Sequence, residues 1–176
     1  IICWFSLGLM FHSYVLFPLI ISFIAKRKKT SPVQKTVDLP FVSILMSAYN
    51  EETVIEEKVN SILESNYPSD KFEILVGSDC SSDNTDNIMN RLALSHSQHI
   101  KFLPFSIRQG KPNIINQLIA LSQGNILILT DANVMFDVNT IKELVTPFEE
   151  KTIGLVDSQM INKGAKVSGI SFQEKA

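Results

Sequence analysis

Four short polar stretches carry the groups in this chain that could do chemistry. They are Tyr49-Asn50-Glu51, Ser78-Asp79-Cys80-Ser81-Ser82-Asp83, Arg108-Gln109-Gly110-Lys111 and Asp131-Ala132-Asn133. Three offer carboxylates, and the fourth offers a guanidinium and an ammonium. Acid and base at one place suit a divalent cation bridging a diphosphate: a carboxylate holds the cation, and the basic groups hold phosphate oxygens. Taken singly, each stretch is bland. An Asp after a strand is usually a turn former or a helix cap. Arg108 and Lys111 alone read as solvated surface. Asp83 and Thr85 read as capping residues rather than ligands. The weight lies in the conjunction, which depends on the elements that position these stretches.

Residues 41–48 form a short apolar run that predicts a buried strand. Asn50 reads as the cap of a following helix, with Glu51 and Glu52 in its first turn and Ile55, Val59, Ile62 and Leu63 on its apolar face. Residues 72–77 predict a second strand, and Ile88, Met89, Leu92 and Ala93 a second helix. Residues 100–105 predict a third strand, with Pro104 pointing to a sheet edge or a strand end. Pro112 suits the first turn of a third helix, with Ile114, Ile115, Leu118 and Ile119 inward and Gly124 as its cap. Residues 126–130 are fully apolar and predict a central strand. Ile141, Leu144, Val145 and Phe148 mark a fourth helix, and residues 153–156 a fifth strand. Alternating strands and helices predict an α/β fold with a mostly parallel sheet flanked by helices. In such sheets ligands bind beyond the carboxyl ends of the strands, where all four polar stretches then fall.

Several other chemistries are excluded. No GxGxxG follows the first strand, and Gly110-Lys111-Pro112 lacks the glycine spacing of a P-loop. There is no GxSxG elbow. His96 and His99 sit in a polar loop far from any metal-ligand spacing. Cys3 and Cys80 make neither a disulfide framework nor a zinc site. The net charge of -2 leaves no basic stripe for nucleic acid.

The mean hydropathy of +0.14 is high for a chain with 19% charged residues, and the excess sits at one end. Residues 1–25 contain no Asp, Glu, Lys or Arg. As a helix they would extend about 37 Å, enough to cross a hydrocarbon core of about 30 Å. Lys26-Arg27-Lys28-Lys29 follows at once and marks the cytoplasmic side. A secretory signal would carry its charge before the apolar run instead. The expected organisation is a transmembrane helix at 1–25, a basic juxtamembrane linker at 26–40, and a catalytic-type domain at 41–176. Both ends read as cuts in a longer protein.

The order of motifs resembles family 2 glycosyltransferases of the GT-A fold. The resemblance rests on residues 42–52, on Tyr67-Pro68, on the strand at 72–76 with Ser78-Asp79-Cys80-Ser81-Ser82-Asp83-Asn84-Thr85, on Gly110-Lys111 with Asn116, and on Thr130-Asp131-Ala132-Asn133. It covers about residues 41–160. It implies a nucleotide-sugar site. Ala48, Tyr49, Asn50 and Glu51 would belong to the base and ribose pocket. Asp79 would contact the base, typically uracil. Lys111 with Arg108 would face the diphosphate. Asp131, the one catalytic position implied here, would hold the metal, Mg2+ or Mn2+, and the donor sugar. One departure stands out: Asn133 occupies the second acidic place of the Asp-x-Asp motif. An amide oxygen can ligate a hard cation but adds no charge.

The implied reaction is sugar transfer with inversion from a nucleotide sugar, UDP-linked by this reading, to a saccharide or lipid-linked acceptor in polysaccharide synthesis. The implied setting is the lipid of the cell membrane, with the catalytic domain in the cytoplasm. The family's general base has no match before Ala176. A membrane-tethered nucleotide-binding module without transfer activity is the alternative reading.

Overall fold

The computed structural model describes residues 2–27 and 39–158. The chain divides into two compact units, residues 1–34 and 35–176. In the first, α1 (Ile2–Phe11) and α2 (Phe17–Arg27) are joined by a π-helical turn, His12–Leu16. The Phe17 N–H reaches back five residues to the His12 carbonyl. Pro18 accounts for the wide turn, because its ring lacks an N–H and clashes with the carbonyl four residues back in a regular helix. Residues 4–23 make one helix long and apolar enough to cross a membrane, with mean hydropathy 1.7 and no part of it buried within the protein. Lys28, Lys29 and residues 30–38 of the expected linker lie outside the described residues.

In the second unit, β1 (Val42–Ala48), β2 (Phe72–Asp79), β3 (Ile100–Phe105) and β4 (Ile126–Thr130) form one parallel sheet in the order β3-β2-β1-β4. β1 pairs from Val42↔Phe72 to Ala48↔Ser78 on one side and from Val42↔Ile126 to Met46↔Thr130 on the other. The strands therefore end together, and every loop that leaves a carboxyl end opens on one edge. The helices are α3 (Ile55–Leu63), α4 (Thr85–Ser95), α5 (Lys111–Leu121) and α6 (Thr140–Val145). Side chains alternate across the strands. Val42, Ile44, Met46, Ile74 and Val76 meet the apolar faces of α3, α4 and α6. Leu45 and Leu75 meet Ile114 and Leu118 of α5 on the other face.

Four expectations need correction. β4 lies at an edge among the described strands, not at the centre: Ile128 is buried, but Leu129 is 61% exposed. A wholly apolar strand reads the same whether one or both of its faces are covered. Residues 153–156 form no strand. Gly124 does not end α5 in a left-handed turn. A Cβ there would lie 2.4 Å from the Ser43 backbone nitrogen, so the glycine permits a close approach to β1. Asn50 does not cap α3, which starts five residues later, after Val54. Residues 159–176 of the expected domain lie outside the described residues. Pro104 does fall on an edge strand, β3.

Candidate functional site

The loop after β1 and the loop after β2 are tied together. Asn50 takes a left-handed conformation, φ 53°, which asparagine tolerates better than most residues. Its N–H donates to Ser81 Oγ, and its side-chain oxygen accepts the Ser82 N–H at 2.8 Å. The Glu51 N–H donates to Thr85 Oγ1 at 2.9 Å. Glu52 and Asp83 clasp each other's loops: the Glu52 N–H donates to Asp83, and the Asn84 N–H donates to the Glu52 carboxylate. Asp83 also accepts the Thr85 N–H and hydroxyl at the start of α4. Desolvation raises the Asp83 carboxyl, but the hydrogen bonds from Thr85 and Glu52 together outweigh it and hold the carboxyl below its ordinary range. Asp83 and Thr85 thus lock the two loops together at the start of α4, whose cap position is Asn84.

Asp79 ends β2 almost wholly buried. Its two oxygens accept the Gln109 N–H at 2.6 Å and the Gly110 N–H at 2.9 Å. Gly110 has φ 84° and ψ 148°, a region open to glycine and closed to residues with a Cβ. That conformation turns both N–H groups toward Asp79 and starts α5 at Lys111. Arg108, on the same loop, lies with its guanidinium carbon 3.7 Å from the centroid of the Tyr49 ring, and its Nε is 3.9 Å from Asp79. Lys111 reaches across to pair with Asp131 at the end of β4, and both side chains are more than half exposed. Tyr49, Arg108 and Asp79 thus form one contact group at the carboxyl edge of the sheet and Lys111 and Asp131 a second, and the Gly110 backbone joins the two. Glu51 joins through its backbone, Ala48 lies wholly buried at the end of β1, and Asn133 is exposed two residues after Asp131.

The donor set fits a hard divalent cation that arrives with a diphosphate. Asp131 and Asn133 present oxygens from one short turn, closed by the Val134 N–H on the Asp131 carbonyl. Among the described residues no three His, Cys, Asp or Glu side chains gather for a metal. Asp131 and Asn133 would thus supply only some of the cation's oxygen ligands, leaving the rest to phosphate and water.

The model of the glycosyl transferase family 2 domain matches residues 43–173. The chain belongs to glycosyl transferase family 2. Among curated members of this family, a beta-monoglucosyldiacylglycerol synthase of Trichormus variabilis is 33% identical over 130 residues, covering 73% of this chain and 28% of its own length. A poly-beta-1,6-N-acetyl-D-glucosamine synthase of Staphylococcus epidermidis is 30% identical over 96 residues, covering 54% and 22%. The chain thus spans about a quarter of the length of these family 2 relatives. A mannosyltransferase of Pyrobaculum calidifontis, solved with GDP-Man and Mn2+, superposes with TM-score 0.68 at 29% identity, over 81% of this chain and 43% of that one. The fold is GT-A-like.

Sequence reasoning missed two buried polar networks. One is Lys58, which sits at an inward position of α3 between Ile55 and Ile62; a Lys on an apolar face was the available signal. The other is Glu73 on β2, which accepts from Ser43 Oγ, Lys101 and the Gln123 N–H at the opposite end of the sheet. Its signal was a Glu inside an apolar strand.

Proposed function

We propose that this chain is the donor-binding part of a membrane-anchored glycosyltransferase. It would move a sugar from a nucleoside diphosphate, uridine diphosphate in our reading, to a lipid-linked or saccharide acceptor with inversion. The observation that carries the reading is the pair of contact groups Tyr49–Arg108–Asp79 and Lys111–Asp131, joined through the Gly110 turn at the carboxyl edge of one sheet. Tyr49 offers a flat ring for a base, beside the Arg108 guanidinium. Asp79 holds the loop that carries Arg108 and Gly110. Lys111 lies where it can leave Asp131 for phosphate oxygens.

In the reaction the acceptor hydroxyl attacks the anomeric carbon. A new C–O bond forms as the C–O bond to the diphosphate breaks. Lys111 and Arg108 offset the negative charge that grows on the leaving group. When bound at Asp131 and Asn133, Mg2+ or Mn2+ would supply Lewis-acid stabilisation of that same group. We assign the carboxylate that accepts the hydroxyl proton to the part of the relatives' length that this chain does not span. The apolar helix at 4–23, with cations directly after it in the sequence, supports a location in the cell membrane with the second unit in the cytoplasm. The names of the relatives support both a diacylglycerol-type and a polysaccharide acceptor.

Calorimetric titration of UDP and GDP, with and without Mn2+, tests the donor site. Wild type is expected to bind UDP with Mn2+ dependence, and Asp131→Ala to lose that dependence by about tenfold or more. Tighter binding of GDP would replace uridine with guanosine in this reading. A second reading, a nucleotide-binding module without transfer, is favoured by Asn133, which adds no charge at the cation. Sugar transfer by the full-length protein would eliminate it.

A further inference from the structure

The apolar face of α3 contains one residue that breaks its pattern. Ile55, Val59 and Ile62 are fully buried, and Lys58 is fully buried with them. A lysine in such a place usually runs its methylenes over the core and returns its ammonium to water. Here the ammonium stays inside. It donates to Thr130 Oγ1 at 2.9 Å and to the Val134 carbonyl, and it lies 3.7 Å from the centroid of the Phe136 ring. No carboxylate makes an ion pair with it among the described residues. Burial lowers the ammonium to about 7 even though the field of Asp131 acts to raise it. A methionine has nearly the same volume and would fill the space without the desolvation cost, so packing alone does not account for a lysine.

Its two partners bracket the Asp131-Ala132-Asn133 turn. Inside the turn, Ala132 is buried in the core and Asp131 pairs with the exposed Lys111, but among the described residues no other side chain ties the backbone on both sides of it. The turn follows a strand with one free edge among the described strands, and its internal Val134-to-Asp131 hydrogen bond is long at 3.3 Å. The same helix adds a second tie, because Ser61 Oγ accepts the Phe136 N–H and donates to the Lys58 carbonyl.

We infer that Lys58 is a positioning residue of the donor site: by holding Thr130 before the turn and Val134 after it, Lys58 sets where the Asp131 carboxylate and the Asn133 amide stand. The inference rests on the reading that this turn meets the diphosphate and its cation. Lys58 touches neither; it acts through the backbone that carries the two oxygen donors.

The test is calorimetric titration of the full chain with UDP and with GDP, each with and without Mn2+. Wild type, Lys58→Met and Thr130→Val are compared. In Lys58→Met the gain in nucleotide affinity caused by Mn2+ is expected to fall about tenfold or more, with the Mn2+-free affinity changed by less than about twofold. Thr130→Val keeps the charge and removes one tie, so about threefold of the same gain is expected to go. A lysine of merely structural importance would lower both affinities together, and that result overturns the inference. An unchanged Mn2+ gain in both variants overturns it as well. Should Lys58→Met fail to fold, Thr130→Val decides alone, and an unchanged gain there overturns the inference. Wild type that binds neither nucleotide overturns the donor-site reading and this inference with it. Wild type that binds normally beside unaffected variants overturns the inference alone.

Discussion

Glu73 is a carboxylate buried inside a strand, and its charge is held by what donates to it. Burial alone would raise its carboxyl, but the hydrogen bonds from Lys101, Ser43 and the Gln123 N–H prevail and lower it from the ordinary 4.5. A lowered folded-state value means that the unfolded chain binds the proton more readily. The stabilisation is therefore complete above about 4.5 and is lost as pH falls through the folded-state value. Glu73→Gln is expected to cost about 1–3 kcal/mol at pH 7 by urea unfolding, and the gap from wild type should narrow as the pH falls below the ordinary 4.5. At the opposite end of the sheet, Lys111 and Asp131 pair in the open, where solvent screens them and a ligand can part them.

At the scale of elements, the site is made of loop backbone more than of side chains. The turn into α5 depends on Gly110, whose positive φ lets two consecutive N–H groups face Asp79. Gly110→Ala is expected to lower stability by about 1–3 kcal/mol and to weaken nucleotide binding beyond that loss, because Arg108 and Lys111 flank the turn. Thermal melts and the UDP titration on the same preparation separate the two effects. The zipping of the β1 and β2 loops follows the same logic. The Glu51 and Glu52 N–H groups are satisfied by Thr85 and Asp83 on the neighbouring loop, so the helix after β1 begins only at Ile55. Short-range capping rules favoured Asn50 as the cap, and a partner 32 residues away in sequence took its side chain instead.

At the scale of the molecule, two units meet different solvents in our reading. Trp4 and Phe5 are largely exposed, as are Phe11 and Tyr14, which suits lipid and not water. Deletion of residues 1–27 is expected to move the protein from the membrane pellet to the soluble fraction, and to leave UDP affinity within about twofold of the intact chain. Retention in the pellet after an alkaline wash would remove the anchor from the proposal. The second unit keeps an apolar outer face on β4, with Leu127 and Leu129 exposed among the described residues.

The periodicity of apolar residues determined by itself that this is an α/β chain with a parallel sheet, and that polar loops gather at one edge. Hydrophobic spacing is local, and 3.6- and 2-residue periods can be read without partners. The order of the motifs at Tyr49, Asp79, Lys111 and Asp131 was legible for the same reason: each is a short segment with its own composition. Only tertiary structure decided that β4 lies at an edge of the described sheet, because strand order depends on pairings between segments tens of residues apart. Tertiary structure also decided that Gly124 serves a close approach, that Asp79 spends its oxygens on the Gln109 and Gly110 N–H groups, and that Lys58 stays inside beneath the Asp131 turn. In each case the residue's role is set by a partner that the local sequence does not contain.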